Sequence, residues 1–78
     1  MRYFDAEVDL TGLKCPVPVV RARKEMEKLK HGQILHITSD DEISCANFPV
    51  FTQQNGHTLL ETYKEGITYH YFILKNRK

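Results

Sequence analysis

A chain of 78 residues with a net charge of +1 and 27% charged side chains has room for one small domain and not for two. Its balanced charge supplies no basic stripe of the kind a general nucleic-acid binder needs, no apolar run approaches the roughly 20 residues of a membrane span, and two cysteines make no disulfide framework. The opening Met1-Arg2-Tyr3-Phe4-Asp5 lacks the apolar stretch of a signal peptide. The expected setting is therefore a reducing cytoplasm, with no membrane partner and no direct nucleic-acid contact.

Residues 6–11 alternate apolar and polar, the period of a half-buried strand, and Gly12 closes that run with a turn. From 16 to 30 the apolar positions Val19, Ala22, Met26 and Leu29 recur at helical spacing, with Arg21, Lys24, Glu25 and Lys28 on the other side. This is an amphipathic helix whose stripe faces a sheet. Residues 33–38 form a second predicted strand, rich in β-branched side chains. Ser39-Asp40-Asp41 reads as a turn whose oxygens cap a second helix over 42–55. Pro49 is expected to break that helix near Phe48, with Ile43, Phe48 and Phe51 facing the sheet. The last third is a predicted hairpin, 58–64 and 67–74, turning at Glu65-Gly66. Its second strand has apolar bulk on both faces and is expected in the middle of the sheet. The order βαβαββ with right-handed crossovers gives an α/β two-layer sandwich, with two helices on one face of a four-stranded mixed sheet.

The chemistry concentrates in Gly12-Leu13-Lys14-Cys15-Pro16-Val17-Pro18. Proline is tolerated in a first helical turn, whose N–H groups have no intrahelical partner. Pro16 fits the first helical position and Pro18 the third, with Cys15 at or beside the N-cap. There the helix dipole and the N–H of Val17 favour negative charge, and a thiolate supplies it. Lys14, Arg21 and Lys24 add positive charge nearby. The competing reading is a small buried cysteine that merely precedes a helix.

The same residues extend into a longer pattern. Asp9-Leu10-Thr11-Gly12-Leu13-Lys14-Cys15-Pro16-Val17-Pro18 resembles the Asp-x-x-Gly-x-x-Cys-Pro-x-Pro of the TusA/SirA-like family. Arg23-Lys24, Ser39-Asp40-Asp41 and Phe48-Pro49 are similar to that family's basic pair, aspartate turn and Ile-Pro element. The resemblance implies a single TusA/SirA-like domain over 1–78 and a sulfurtransferase-type carrier rather than a stand-alone enzyme. Cys15 would be the nucleophile, holding sulfur as a persulfide, with Gly12, Lys14, Pro16, Val17 and Pro18 as its supporting motif. A cysteine desulfurase or rhodanese-type protein would donate the sulfur and an acceptor protein would take it, toward tRNA thiolation, cofactor biosynthesis or sulfur metabolism. No cofactor is implied. Glu42, Asn47 and Phe48 depart from the family pattern, which bears on the partner more than on the sulfur.

Other residues carry weaker signals. Cys45 is a possible second thiol, and a redox switch with Cys15 is one alternative function. A regulatory or RNA-binding module, with Tyr69 or Tyr71 stacking on bases, is another. His31, His36, His57 and His70 show no metal-ligand spacing, so no metal is expected. Asp40 and Asp41 read as capping residues rather than catalytic acids.

Overall fold

The computed structural model describes residues 3–76, apart from the side chains of residues 43–47. The chain runs β1 (Ala6–Asp9), α1 (Val17–Glu27), β2 (Ile34–Ser39), α2 (Glu42–Gln54), β3 (Thr58–Glu65) and β4 (Thr68–Leu74), the predicted βαβαββ order. The strands form a mixed sheet in the order β1-β2-β4-β3. β4 is internal, antiparallel to β2 on one side and to β3 on the other. β1 pairs with β2 in parallel, Glu7 opposite His36 and Asp9 opposite Thr38. That pairing positions the site, because it brings the C-terminal ends of both strands side by side. The chain leaving β1 enters the Cys15 loop, and the chain leaving β2 enters Asp40-Asp41.

The period of two along each strand sorts the side chains. Leu35, Ile37, Tyr71 and Ile73 face the helices, where Ala22 and Met26 of α1 and Phe48 and Phe51 of α2 meet them. Both helices thus lie on one face. The Phe48 and Tyr71 rings pack tilted, 4.6 Å between centroids, a favoured aromatic geometry. Tyr71 is buried in this core, and Tyr69, half-buried, packs against it. Lys64 lies over the Tyr69 ring, 5.2 Å from its centroid.

Several boundaries differ from the sequence expectation. Helix α1 stops at Glu27, with Lys28 as its C-cap, rather than continuing to 30. The Lys75 ammonium donates to the carbonyls of Met26 (2.7 Å) and Leu29 (2.6 Å), a cation at the negative end of the helix. Helix α2 runs unbroken through Pro49. Proline removes one N–H, but Phe48 and Phe51 on either side are buried in the core, and Thr52 Oγ1 donates to the Phe48 carbonyl at 2.8 Å. Packing outweighs the local cost of about 3 kcal/mol. The hairpin turn is Gly66-Ile67, one residue later than expected, with Gly66 at φ +62°. Ile67 is consequently an exposed turn residue, not part of β4. The expectations for Ile43 and Cys45 fall on side chains outside the described residues.

The helix-free face is built differently. Phe72 is fully buried and His36 is 2% exposed, although no helix covers them. Flat rings take that role: His36 stacks on Phe72 (4.4 Å), Tyr63 stacks on His70 (4.5 Å), and Phe4 tilts over His36 (5.0 Å). His36 Nε2 and His70 Nδ1 share a hydrogen bond of 3.0 Å. The outer imidazole nitrogens meet carboxylates, His36 Nδ1 with Glu7 at 3.0 Å and His70 Nε2 with Glu65 at 3.4 Å. The histidines thus serve the sheet. Among the described residues no group of three His, Cys, Asp or Glu side chains is placed to hold a metal ion.

Phe48 joins the two layers, so Phe48→Ala should remove about 3–5 kcal/mol of stability, a large part of what a small domain has. Urea unfolding would read this as a lower midpoint with a near-unchanged slope.

Candidate functional site

The Cys15 loop is held almost residue by residue. Leu10 N–H continues the β1–β2 ladder by donating to the Thr38 carbonyl at 2.7 Å. The Asp9 carboxylate then turns the chain, accepting the Thr11 N–H at 3.0 Å and the Thr11 hydroxyl at 2.7 Å. Gly12 sits at φ +85°, a left-handed conformation that favours glycine. Its N–H donates to Asp40 Oδ1 at 3.0 Å. The Cys15 N–H donates to Asp41 Oδ2 at 2.6 Å. Two adjacent carboxylates from the β2–α2 turn therefore grip the start and the end of the loop. Asp41 is 5% exposed; a buried carboxylate persists where hydrogen bonds compensate its lost hydration.

The helix begins one residue later than the sequence suggests. Pro16 is the N-cap, with no side-chain cap bond, Val17 is the first helical residue and Pro18 the second. Cys15 precedes the cap, joined to Pro16 by a cis peptide bond. The Val17 N–H, expected to favour a thiolate, instead donates to the Lys14 carbonyl at 2.9 Å. Neither proline has an N–H to give. Pro18 is buried, which anchors the motif, while Lys14, Pro16 and Val17 are exposed.

Cys15 itself is half-buried. It lines a pocket of about 240 Å³ between α1 and α2, together with Pro16, Val19, Arg23, Val50, Phe51, Gln54 and Asn55. The position is not the apolar interior that the competing reading required. Val19 and Arg23 fall four apart on one face of α1, and both line the pocket beside Cys15. Arg23 is the basic side chain that reaches this pocket, whereas Arg21 and Lys24, expected to supply charge, do not line it. Val17, Val20 and Val50 leave the surface apolar nearby, at 43%, 47% and 51% exposure. On the other side of the loop, Lys14, Asp40, Asp41 and Glu42 share a hollow with Lys64, Ile67 and Tyr69.

Comparison with known proteins identifies the lineage of this arrangement. The family model described as sulfurtransferase TusA matches residues 6–75. The chain belongs to the TusA family. It is 40% identical over 76 residues to the sulfur carrier protein TusA of Allochromatium vinosum, covering 97% of this chain and 100% of that protein. It is 37% identical over 71 residues to YedF of Escherichia coli K12, covering 91% and 92% respectively. Among solved structures, a SirA-like protein from Desulfitobacterium hafniense superposes with a TM-score of 0.81 at 25% identity, covering 94% of this chain and 100% of that one. Membership in a family of sulfur carriers implies a sulfur donor and a sulfur acceptor as partners. No helix among the described residues is long and apolar enough to cross a membrane.

The sequence names Cys15 and its flanking motif, and it marks Asp40 and Asp41 as turn residues; it does not show that their carboxylates accept backbone N–H groups 28 and 26 residues earlier, respectively. The parallel β1–β2 pairing was the available signal, since it places both post-strand turns together. Arg23 was legible from its spacing of eight from Cys15.

The Asp9 turn gives a direct pH test. The Thr11 backbone N–H, and then its hydroxyl, hold the Asp9 carboxyl below the usual carboxylate value. A carboxyl acidified by folding adds stability above its unfolded value, and that contribution is lost as pH falls through the folded value. Carboxyl ¹³C titration should place the Asp9 midpoint below that of an ordinary aspartate. Thr11→Val should move it part of the way back, because the backbone bond remains.

Proposed function

We propose that this chain is a persulfide relay in which Cys15 accepts one sulfur atom from a donor protein and yields it to an acceptor. The observation that carries the reading is the seat of the sulfur. A half-buried cysteine precedes the N-cap of an 11-residue helix and opens into a pocket that holds one arginine and otherwise neutral walls. The helix dipole places partial positive charge at that end. Arg23 adds a full positive charge on the pocket wall, where an anionic outer sulfur would rest. The apolar surface at Val17, Val20 and Val50 suits a transient protein contact around the sulfur.

Each step balances as thiol–disulfide-type exchange. The Cys15 thiolate attacks the outer sulfur of a donor persulfide; a sulfur–sulfur bond forms at Cys15 and the donor thiolate leaves. An acceptor thiolate then attacks the outer sulfur of the Cys15 persulfide and Cys15 departs as thiolate. No net oxidation occurs and no cofactor enters. A cysteine desulfurase or rhodanese-type protein fits the donor role. A thiol-bearing protein fits the acceptor role, in tRNA thiolation, cofactor biosynthesis or other sulfur metabolism. Residues 1–78 would act as one domain in a cytoplasmic setting.

Incubation with a persulfide donor, followed by peptide mass mapping, should place one added sulfur on the Cys15 peptide. Cys15→Ser should abolish the addition while leaving the fold intact. Equal loading of Cys15→Ser would overturn the reading.

A further inference from the structure

We infer that the α1–α2 pocket continues past Cys15 into a basic hollow, and that the groove so formed takes an extended acidic segment of a partner protein. The partner's exchanging cysteine sits at Cys15, and its carboxylates, four or five residues further on, sit beside Lys75. The inference rests on Cys15 as the exchanging group and adds a rule for which partners fit.

A hollow of about 490 Å³ adjoins the Cys15 pocket. Arg23, Phe51 and Asn55 line both, so the two form one groove. Beyond these shared walls the hollow is bounded by Met26, Glu27, His57 and Lys75. Met26 and Phe51 are buried in the core and give it an apolar floor. Histidine aside, its charged walls are two cations, Arg23 and Lys75, against one carboxylate, Glu27, and the Cys15 pocket adds no further carboxylate. A chain bearing negative charge complements that balance.

Lys75 decides the sign of the far end. The last carbonyls of a helix carry partial negative charge, which opposes an anion. Here the carbonyls of Met26 and Leu29 accept from the Lys75 ammonium at 2.7 and 2.6 Å. They are neutral groups, so the ammonium masks the helix end and keeps its own full charge. The sheet holds it in place: the Lys75 N–H donates to the Gln33 carbonyl at 2.8 Å, and its carbonyl accepts the Gly32 N–H at 2.7 Å. The start of α1 favours negative groups by its dipole, so both ends of the groove suit an anion. Length then selects the occupant. Helix α1 has 11 residues, about 16 Å at 1.5 Å per residue. An extended chain, at about 3.3 Å per residue, covers that distance in about five residues.

Three end-blocked hexapeptides, each activated at cysteine as a 2-thiopyridyl disulfide, test the groove: Cys-Gly-Ala-Gly-Glu-Glu, the same chain with two glutamines in place of the glutamates, and Cys-Glu-Glu-Gly-Ala-Gly. The Cys15 thiolate attacks the peptide sulfur, a new sulfur–sulfur bond forms, and thiopyridone leaves as the measured chromophore. Subtracting the rate of Cys15→Ser removes any contribution of Cys45. At low salt the first peptide should react about three- to fivefold faster than either of the others. Salt near about 0.5 M should erase that advantage by screening. Lys75→Gln should also erase it, and Glu27→Gln, a change at an exposed side chain, should enlarge it. If Lys75→Gln does not fold, Glu27→Gln and the salt series decide. Equal rates for the first two peptides, or an equal advantage for the third, would overturn the inference, as would an advantage that Lys75→Gln leaves intact. These reactions need no persulfide, so an advantage for the first peptide in a chain that loads no sulfur would count against the relay and in favour of the groove.

Discussion

The parallel pairing of β1 with β2 is the constraint on which the rest of the site depends. It carries few hydrogen bonds, and β1 has only four residues. Yet it sets two chain ends next to one another, and everything specific to the site is built across that junction. Asp40 takes the amide of Gly12 and Asp41 takes the amide of Cys15. Without the strand pairing, these carboxylates would be ordinary turn residues. With it, they hold the loop at Gly12 and at Cys15. A buried carboxylate is costly unless well bonded, and removal of its partner leaves the cost uncompensated. The clamp is therefore coupled to the fold: the sheet register delivers the aspartates, and the aspartates hold the sulfur loop to the sheet end.

Rigidity at Cys15 serves the chemistry of a sulfur carrier. In the proposed relay, transfer needs an outer sulfur in a defined direction, since attack proceeds along one line through the sulfur–sulfur bond. A loop held at Gly12 and Cys15, followed by Pro16 and a buried Pro18, gives the side chain a fixed origin. Half-burial then leaves the tip reachable. The surrounding surface alternates exposed valines with the single arginine of the pocket, a composition suited to brief docking rather than permanent assembly. The ring-stacked histidine face lies on the opposite side of the sheet. It lets the sheet bury Phe72 without a third layer, which leaves both helices to frame the pocket.

Much of this was legible in the residues. Alternation in 6–11 and 33–38, the helical stripe through Val19, Ala22 and Met26, and the hairpin glycine gave the element order and the sheet. The misjudged details share a cause: local rules were overruled by contacts distant in sequence. Pro49 does not break α2 because Phe48 and Phe51 are locked into the core. Helix α1 ends at Glu27 while its apolar pattern runs on to Leu29, and Lys75 caps carbonyls there from the far end of the chain. Tyr69 and Tyr71 could be assigned to one face of β4 from their spacing, but which face the helices cover is a property of the whole sheet. The cysteine motif was plain as a string. Its geometry was not, since the expected donor at Val17 turns back to Lys14 and the carboxylate that accepts the Cys15 N–H lies 26 residues away at Asp41.

The account turns on the carboxylate clamp, and amide hydrogen exchange at Cys15 measures it without reference to any partner or substrate. A Cys15 N–H held by Asp41 should exchange as slowly as the β1–β2 ladder amides beside it, such as Leu10, because both open only when that strand pair separates. Exchange at the rate of an unstructured loop, with the Leu10 amide still protected, would contradict the account.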